Sequence, residues 1–150
     1  MPITYLDPEH HALRYVPWSK LRKDEDDNVL GILGDAFKLR ESDEYLSATW
    51  VEFFVGSHDE CVVSAVQAVR GSRVDVKPRS GFAVGKVAHI RDTCLADEKK
   101  IRIRFIHAPE DDNKAHAALR NWPRDNDDLL ALLAEDSWSR VVLNKDIPVA

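Results

Sequence analysis

The chain has 150 residues, of which 44% are hydrophobic and 31% charged, a balance typical of one folded domain rather than of a disordered segment. No apolar run approaches the roughly 20 residues that cross a bilayer, so no membrane association is expected. The formal net charge of -5 gives no overall attraction to phosphate backbones, which argues against nucleic acid as a partner. We expect a single domain over residues 1–150.

Cysteine usage and the start of the chain indicate the compartment. Cys61 and Cys94 have no spacing that suggests a zinc motif or a disulfide framework. Residues 1–7 lack the basic start and apolar stretch of an export signal. Both observations predict a protein of the reducing cytoplasm.

The first third of the chain predicts short extended segments separated by turns. Residues 15–18 are expected to be extended, because a proline at position 17 disfavours the helical region for its neighbour. Residues 20–28 are predicted as a solvated turn or short helix, and residues 37–40 as a short strand. The aromatic and β-branched residues of 45–54 predict a strand that passes into a helical turn.

The clearest local signal is Ser57 followed three residues later by Glu60, a capping box in which each side chain binds the other residue's backbone N–H. A helix is predicted to start there. Gly71 is expected to end it in a left-handed conformation. Residues 82–87 are predicted as a buried strand in which Gly85 lets another group approach closely.

The second half of the chain continues with mixed elements. Residues 89–96 are predicted as a helix, 101–106 as a strand, and 113–122 as a short helix. Asn126 is expected to cap a last helix, and residues 141–143 to form an edge strand. The fold class predicted is α+β, or α/β, with a mixed sheet and three to four helices in one compact domain.

A candidate metal site lies at the end of the predicted strand 101–106. Imidazole and carboxylate ligands together suit zinc, manganese or iron, so His107, Asp112 and His116 predict a divalent transition metal as cofactor. Asp112 and His116 would share a helix face. His107 and Asp111 are the predicted catalytic groups of a metal-assisted hydrolase. The alternative is that Asp111, Asp112 or Asn113 caps a helix, while the histidines only form hydrogen bonds.

A thiolate nucleophile is a second candidate. Cys61 lies in the first turn of the predicted helix, with His58 or the distant His107 as a base. Asp59 and Glu60 flank it, however, and negative charge raises the pKa of a thiol. A structural cysteine is therefore the preferred interpretation.

A third candidate is nucleotide handling. Arg14 is followed by Ser47 and Thr49 on a predicted strand and then by later carboxylates. This order resembles the arginine, serine/threonine, glutamate order of ADP-ribosyl transferases. The resemblance implies that Arg14 holds a phosphate of a nicotinamide dinucleotide and that Ser47 or Thr49 braces its ribose. The chain departs from the family in lacking its Glu-x-Glu or Gln-x-Glu pair, and Glu52 lies too close to the serine to replace it.

A fourth interpretation needs no chemistry. Trp18 and Trp122 each adjoin a proline and are candidate anchors for another protein, although core packing accounts for most tryptophans. Residues 45–54 and 107–112 resemble segments of small bacterial proteins of no assigned activity, which implies a bacterial cytoplasmic protein and transfers no catalytic residue. A protein-interaction or regulatory module, binding another protein or itself, is expected slightly ahead of a metal-assisted hydrolase or a nucleotide-processing enzyme.

Overall fold

The computed structural model describes residues 2–149 and contains eight strands and three α-helices within that range. The strands are β1 (His11–Pro17), β2 (Leu21–Lys23), β3 (Val29–Ile32), β4 (Tyr45–Trp50), β5 (Ser80–Lys86), β6 (Arg104–His107), β7 (His116–Arg120) and β8 (Arg140–Leu143). The helices are α1 (His58–Arg70), α2 (Val87–Ala96) and α3 (Asp127–Leu132). One π-helical turn, Leu133–Ser137, continues α3. The predicted α+β class is confirmed.

Six strands form one sheet in the order β6-β7-β4-β1-β5-β8, and β2 pairs with β3 in a separate hairpin. Every neighbouring pair is antiparallel, where a mixed sheet was expected. The position of β1 explains why β4 and β5 do not form a parallel pair. Helix α1 connects β4 to β5, as in a parallel crossover, but β1 lies between these two strands and runs against both. Of the helices between residues 2 and 149, none has the length and apolar character needed to cross a membrane.

Each face of the sheet packs on its own hydrophobic cluster. Because side chains alternate along a strand, Leu13 and Phe82 point to the face covered by α1, where they pack with Val66. The opposite face carries the larger cluster, to which α2 contributes Ile90 and the segment after the π-helical turn contributes Trp138. The two clusters belong to one compact domain.

The predicted capping box is present at the start of α1. Ser57 Oγ accepts a hydrogen bond from the Glu60 backbone N–H at 3.2 Å, and Glu60 Oε1 accepts one from the Ser57 N–H at 2.9 Å. Gly71 follows the helix as predicted, but its φ of -84° and ψ of -4° are right-handed. Its N–H donates to the Gln67 and Val69 carbonyls, so the chain leaves α1 by tightening its last turn and needs no left-handed residue.

Other local predictions are also confirmed. The stretch 45–54 is β4 followed by a 3-10 turn, Val51–Phe53. The helix predicted at 89–96 is α2, which begins two residues earlier. Asn126 Oδ1 accepts the Leu129 N–H at 3.1 Å and so caps α3. The predicted final strand is β8, which lies at the edge of the sheet.

Three segments differ from prediction because tertiary contacts override local preference. Residues 113–122 were expected to be helical, but this alanine-containing segment forms β7, which pairs with β4 on one side and β6 on the other. Residues 37–40 are not a strand, since Phe37 ends a 3-10 turn and stacks on Trp138 with ring centroids 4.8 Å apart. Within 20–28, Leu21 is buried and β2 forms.

Gly85 meets the close approach that the sequence predicts. A Cβ atom at this position of β5 would lie 2.9 Å from Ile90 Cδ1 and 2.9 Å from Trp138 Cδ2. Such distances are well inside van der Waals contact. The glycine therefore allows the Trp138 ring to pack directly on the backbone of the sheet.

We predict that Gly85→Ala lowers the free energy of unfolding by about 1–3 kcal/mol, because the added methyl overpacks the core. Gly71→Ala is the matched control. Its Cβ would meet nothing closer than 3.7 Å and its backbone is right-handed, so the change is expected to be neutral or to stabilise by up to about 1 kcal/mol. Urea denaturation measures both, and equal effects of the two changes would contradict this account.

Candidate functional site

The sheet divides between its two central strands. Strands β1 and β4 pair only at Ala12 with Trp50 and at Leu13 with Thr49, although β1 pairs with β5 along its whole length. From Arg14 onward β1 and β4 separate. A cleft with a volume of about 770 Å³ opens there, lined by residues of both strands.

Arg14 occupies the point at which the two strands separate. Its Nε donates to the Ala36 carbonyl at 3.0 Å and its Nη1 to the Ser47 carbonyl at 2.7 Å. Burial lowers the pKa of Arg14 to about 10, so the guanidinium stays charged at neutral pH. Between residues 2 and 149, no carboxylate lies within ion-pair distance of it. Two of its five N–H groups are used by the carbonyls.

A serine and a histidine lie side by side on the neighbouring strands. The sheet register places Thr49 opposite His116 and Ser47 opposite Ala118, so Ser47 and His116 are diagonal neighbours on one face. Ser47 Oγ and His116 Nε2 are 2.6 Å apart. The serine is exposed to the cleft, whereas the histidine is buried, with 4% of its surface accessible.

The second ring nitrogen of His116 fixes the direction of this hydrogen bond. His116 Nδ1 lies 2.8 Å from the Ala108 carbonyl oxygen, which can only accept. The neutral ring therefore carries its proton on Nδ1, and Nε2 is the acceptor for the Ser47 hydroxyl. Ser47, His116 and the Ala108 carbonyl form a chain in which each group orients the next.

The hairpin between β6 and β7 holds His116 in place. The Ala108 N–H donates to the His116 carbonyl at 2.9 Å, which closes the ladder. Buried Asn113 ties the hairpin to β4, because its Nδ2 donates to Thr49 Oγ1 at 3.0 Å and its Oδ1 accepts the Ala115 N–H at 3.1 Å. Asn113, which the sequence offers as a candidate helix cap, is therefore a turn residue that holds the hairpin beside the cleft.

Arg73 organises the carboxylates on this side of the cleft. Its backbone N–H donates to Asp112 Oδ2 at 2.8 Å, which holds the pKa of the Asp112 carboxyl below its usual range. Its side chain lies 3.5 Å from Asp112 and 3.8 Å from Glu110. The other oxygen of Glu110 is 3.8 Å from His116 Nε2. Glu110 therefore places a carboxylate oxygen near the ring nitrogen that contacts Ser47.

The cleft collects four of the six residues that the sequence singles out as site residues. They are Arg14, Ser47, Asp112 and His116. His107 lies outside it, with Nε2 2.8 Å from the Lys114 carbonyl. Asp111 is also outside, fully exposed and 3.7 Å from the Lys114 ammonium.

The predicted metal ligands His107, Asp112 and His116 are not brought together as a ligand group. The sequence predicts that Asp112 and His116 share a helix face, but His116 begins strand β7. Within residues 2–149, the group whose candidate ligand atoms lie within 4.8 Å of one another is His11, Glu52 and His58. Local spacing gives no signal for it, since His11 and Glu52 are 41 residues apart.

Comparison with protein-family models, with curated proteins and with solved structures finds no match. The functional interpretation therefore rests on the geometry of the site.

Cys61 and Trp122 take structural roles. Burial, followed by the charges of Glu52 and Glu60, raises the pKa of the Cys61 thiol, whose Sγ donates to the Phe54 carbonyl at 3.2 Å. Trp122 is buried in the larger cluster and is not an exposed anchor. Trp18 is partly covered by the Arg79 guanidinium, 3.9 Å above its ring.

We predict that Arg14→Met lowers the free energy of unfolding by about 1–3 kcal/mol, because it leaves the Ala36 and Ser47 carbonyls without their donor. Arg104→Met, on the exposed side of β6, is the control and should change stability by less than about 0.5 kcal/mol. Thermal and urea denaturation measure both. A loss no larger at position 14 than at position 104 would show that Arg14 does not support the divided sheet.

Proposed function

We propose that the protein is a serine hydrolase for a small ester that carries an anionic group, with its active site in the cleft between β1 and β4. The observation that carries the proposal is the 2.6 Å contact between Ser47 Oγ and His116 Nε2, in a ring whose tautomer is fixed by the Ala108 carbonyl. A nucleophile, a base and a group that orients the base are the recurring elements of this chemistry. Here the nucleophile faces a cleft large enough for a small molecule.

The reaction follows from these positions. Ser47 Oγ attacks the ester carbonyl carbon while its proton passes to His116 Nε2. The tetrahedral intermediate expels the alcohol, which takes the proton from His116, and the acyl group remains on Ser47. A water molecule then attacks the acyl carbon with His116 again as base. The acid is released and Ser47 recovers its proton.

The orienting group is a carbonyl rather than the carboxylate of a typical triad. A carbonyl selects the correct tautomer as a carboxylate does, but it stabilises the imidazolium less because it carries no full charge. Glu110, 3.8 Å from His116 Nε2, supplies negative charge from the other side. We therefore expect hydrolysis to be slower than in enzymes with a complete triad.

The charge pattern of the cleft supports an anionic substrate. Five cationic side chains line the cleft. In the part of the chain that the structure describes, Arg14 is the one of these five that has no carboxylate partner within 4 Å. The others are paired: Lys20 with Asp35, Lys38 with Asp127, Arg40 with Asp43, and Arg73 with Glu110 and Asp112. The free N–H groups of Arg14 suit a carboxylate or phosphate on the substrate. A nucleotide substrate, as the transferase resemblance implies, would satisfy the same requirement.

Two further expectations from the sequence stay predictions. We propose a cytoplasmic, bacterial protein; the free, buried state of Cys61 and Cys94 supports the reducing compartment. Binding of another protein or of a second copy is also still proposed, although the tryptophans give it little support, since Trp122 and Trp138 belong to the core.

The hydrolase predicts covalent labelling of Ser47. A fluorophosphonate, which reacts with serines activated by a histidine, should add one phosphonyl group to the intact protein, and peptide mass spectrometry should locate it at Ser47. Ser47→Ala and His116→Gln should abolish labelling. Ser42→Ala, at another exposed serine of the cleft, should leave it unchanged. Labelling elsewhere, or none on the folded wild-type chain, would refute the proposal.

The role of Arg14 predicts charge selectivity. With p-nitrophenyl succinate and p-nitrophenyl butyrate as a matched pair, the wild-type kcat/KM should favour the charged ester. Arg14→Met should reduce this preference about tenfold or more, because a hydrogen bond to a charged group contributes about 1.5–3 kcal/mol. The ratio of the two esters corrects for any unfolded fraction. If the substitution leaves this ratio unchanged, a group other than Arg14 recognises the charge of the substrate.

A further inference from the structure

A second group of chemically active side chains lies outside the cleft. His11, Glu52 and His58, hereafter the His11–Glu52–His58 cluster, place candidate ligand atoms within 4.8 Å of one another. Glu52 Oε2 is 2.6 Å from His11 Nδ1 and 3.8 Å from His58 Nδ1. The two imidazole rings are 4.5 Å apart, centroid to centroid. None of the three residues lines the cleft.

The fold brings these residues together from three separate elements. His11 is the first residue of β1, Glu52 lies in the 3-10 turn after β4, and His58 is the first residue of α1. The pairing of Ala12 with Trp50 fixes the first two. Gly56, with a φ of +133° that other residues rarely adopt, turns the chain so that α1 begins beside Glu52.

Glu52 is held by the backbone as well as by the histidines. Its Oε1 accepts the His11 backbone N–H at 2.6 Å, which leaves Oε2 directed toward the two rings. The side chains of His11 and Glu52 are 25% and 23% exposed, and that of His58 is 39% exposed. The carboxylate is thus oriented before any ligand arrives, and the cluster remains open to solvent through His58.

We propose that the His11–Glu52–His58 cluster is a binding site for a divalent transition metal, with zinc as the best match. Two histidines and one glutamate are a ligand set that zinc uses when its fourth position is left to water or substrate. With bonds of 2.0–2.1 Å, tetrahedral ligand atoms lie about 3.3 Å apart. The separations of 2.6 and 3.8 Å from Glu52 Oε2 lie on either side of this value, so side-chain shifts below about 1 Å would create the site.

Arg140 is a cationic neighbour of His58. The Arg140 guanidinium is itself 3.1 Å from Asp59, which offsets its repulsion of a cation. Among residues 2–149, Glu52 is the carboxylate that lies within 4 Å of a nitrogen of both rings. A metal ion would replace the His11–Glu52 hydrogen bond with two coordinate bonds.

The test is calorimetric titration of zinc chloride into the full chain, prepared without a histidine tag and freed of metal with a chelator. We expect one zinc per chain. Glu52→Gln, which keeps an acceptor for the His11 N–H, and His58→Ala, at an accessible position, should each weaken binding about tenfold or more. His89→Ala, at an exposed histidine of α2, is the matched control and should bind as the wild type does.

Cobalt(II) provides a second readout, since a four-coordinate site gives intense visible absorption that Glu52→Gln should remove. Circular dichroism checks that the variants are folded. No zinc binding by the folded wild-type chain, or equal affinity in wild type, Glu52→Gln and His58→Ala, would overturn the proposal. Fluorophosphonate labelling of Ser47 in the same variants keeps this outcome separate from that of the hydrolase.

Discussion

The architecture depends on Arg14, whose side chain stabilises the sheet where β1 and β4 stop pairing. Strands β1 and β4 start as partners, and continuing their register would set Ser47 opposite Tyr15. They separate instead, and a strand carbonyl that loses its ladder partner must find another donor. Arg14 supplies it for Ser47, and it also donates to the Ala36 carbonyl in the 3-10 turn Gly34–Phe37. The Arg14 side chain thereby replaces a backbone donor for Ser47, and the cleft lies where β1 and β4 do not pair.

The candidate catalytic groups gain their precision from the strands that carry them. His116 belongs to β7, which is paired on both sides, and Ser47 belongs to β4, its direct neighbour. Groups on paired strands are held more rigidly than groups on loops, which is the condition for a pre-organised site. The N–H of Ala108, the residue whose carbonyl orients the ring, donates to the His116 carbonyl in the same ladder. The geometry of the Ser47–His116 pair therefore depends on how the strands of the sheet are paired, and it changes only if that pairing changes.

Local physics made much of the fold predictable. The capping box before α1 and the Asn126 cap each depend on a few neighbouring residues, and each is present. A glycine within a buried strand also predicted the close approach at Gly85, although Trp138, which makes that approach, is remote in sequence. Strand β7 was missed because its alanines carry no strand preference and its partners are remote in sequence. The Ser47–His116 contact spans 69 residues and depends on strand register, which no local pattern encodes. Arg14 and Ser47 were selected by resemblance, and their proximity became visible only in the fold.

The central position of β1 has a consequence for the order in which the chain assembles. Strand β1 is synthesised before both of its neighbours, and its full ladder with β5 requires residues as late as Lys86. Until then its apolar residues Leu13 and Val16, both fully buried in the finished domain, have no sheet to join. Long-range pairing of this kind raises contact order and slows folding. The strand that shapes the cleft therefore lacks its main partner, and can meet wrong ones, while the residues up to Lys86 are being made.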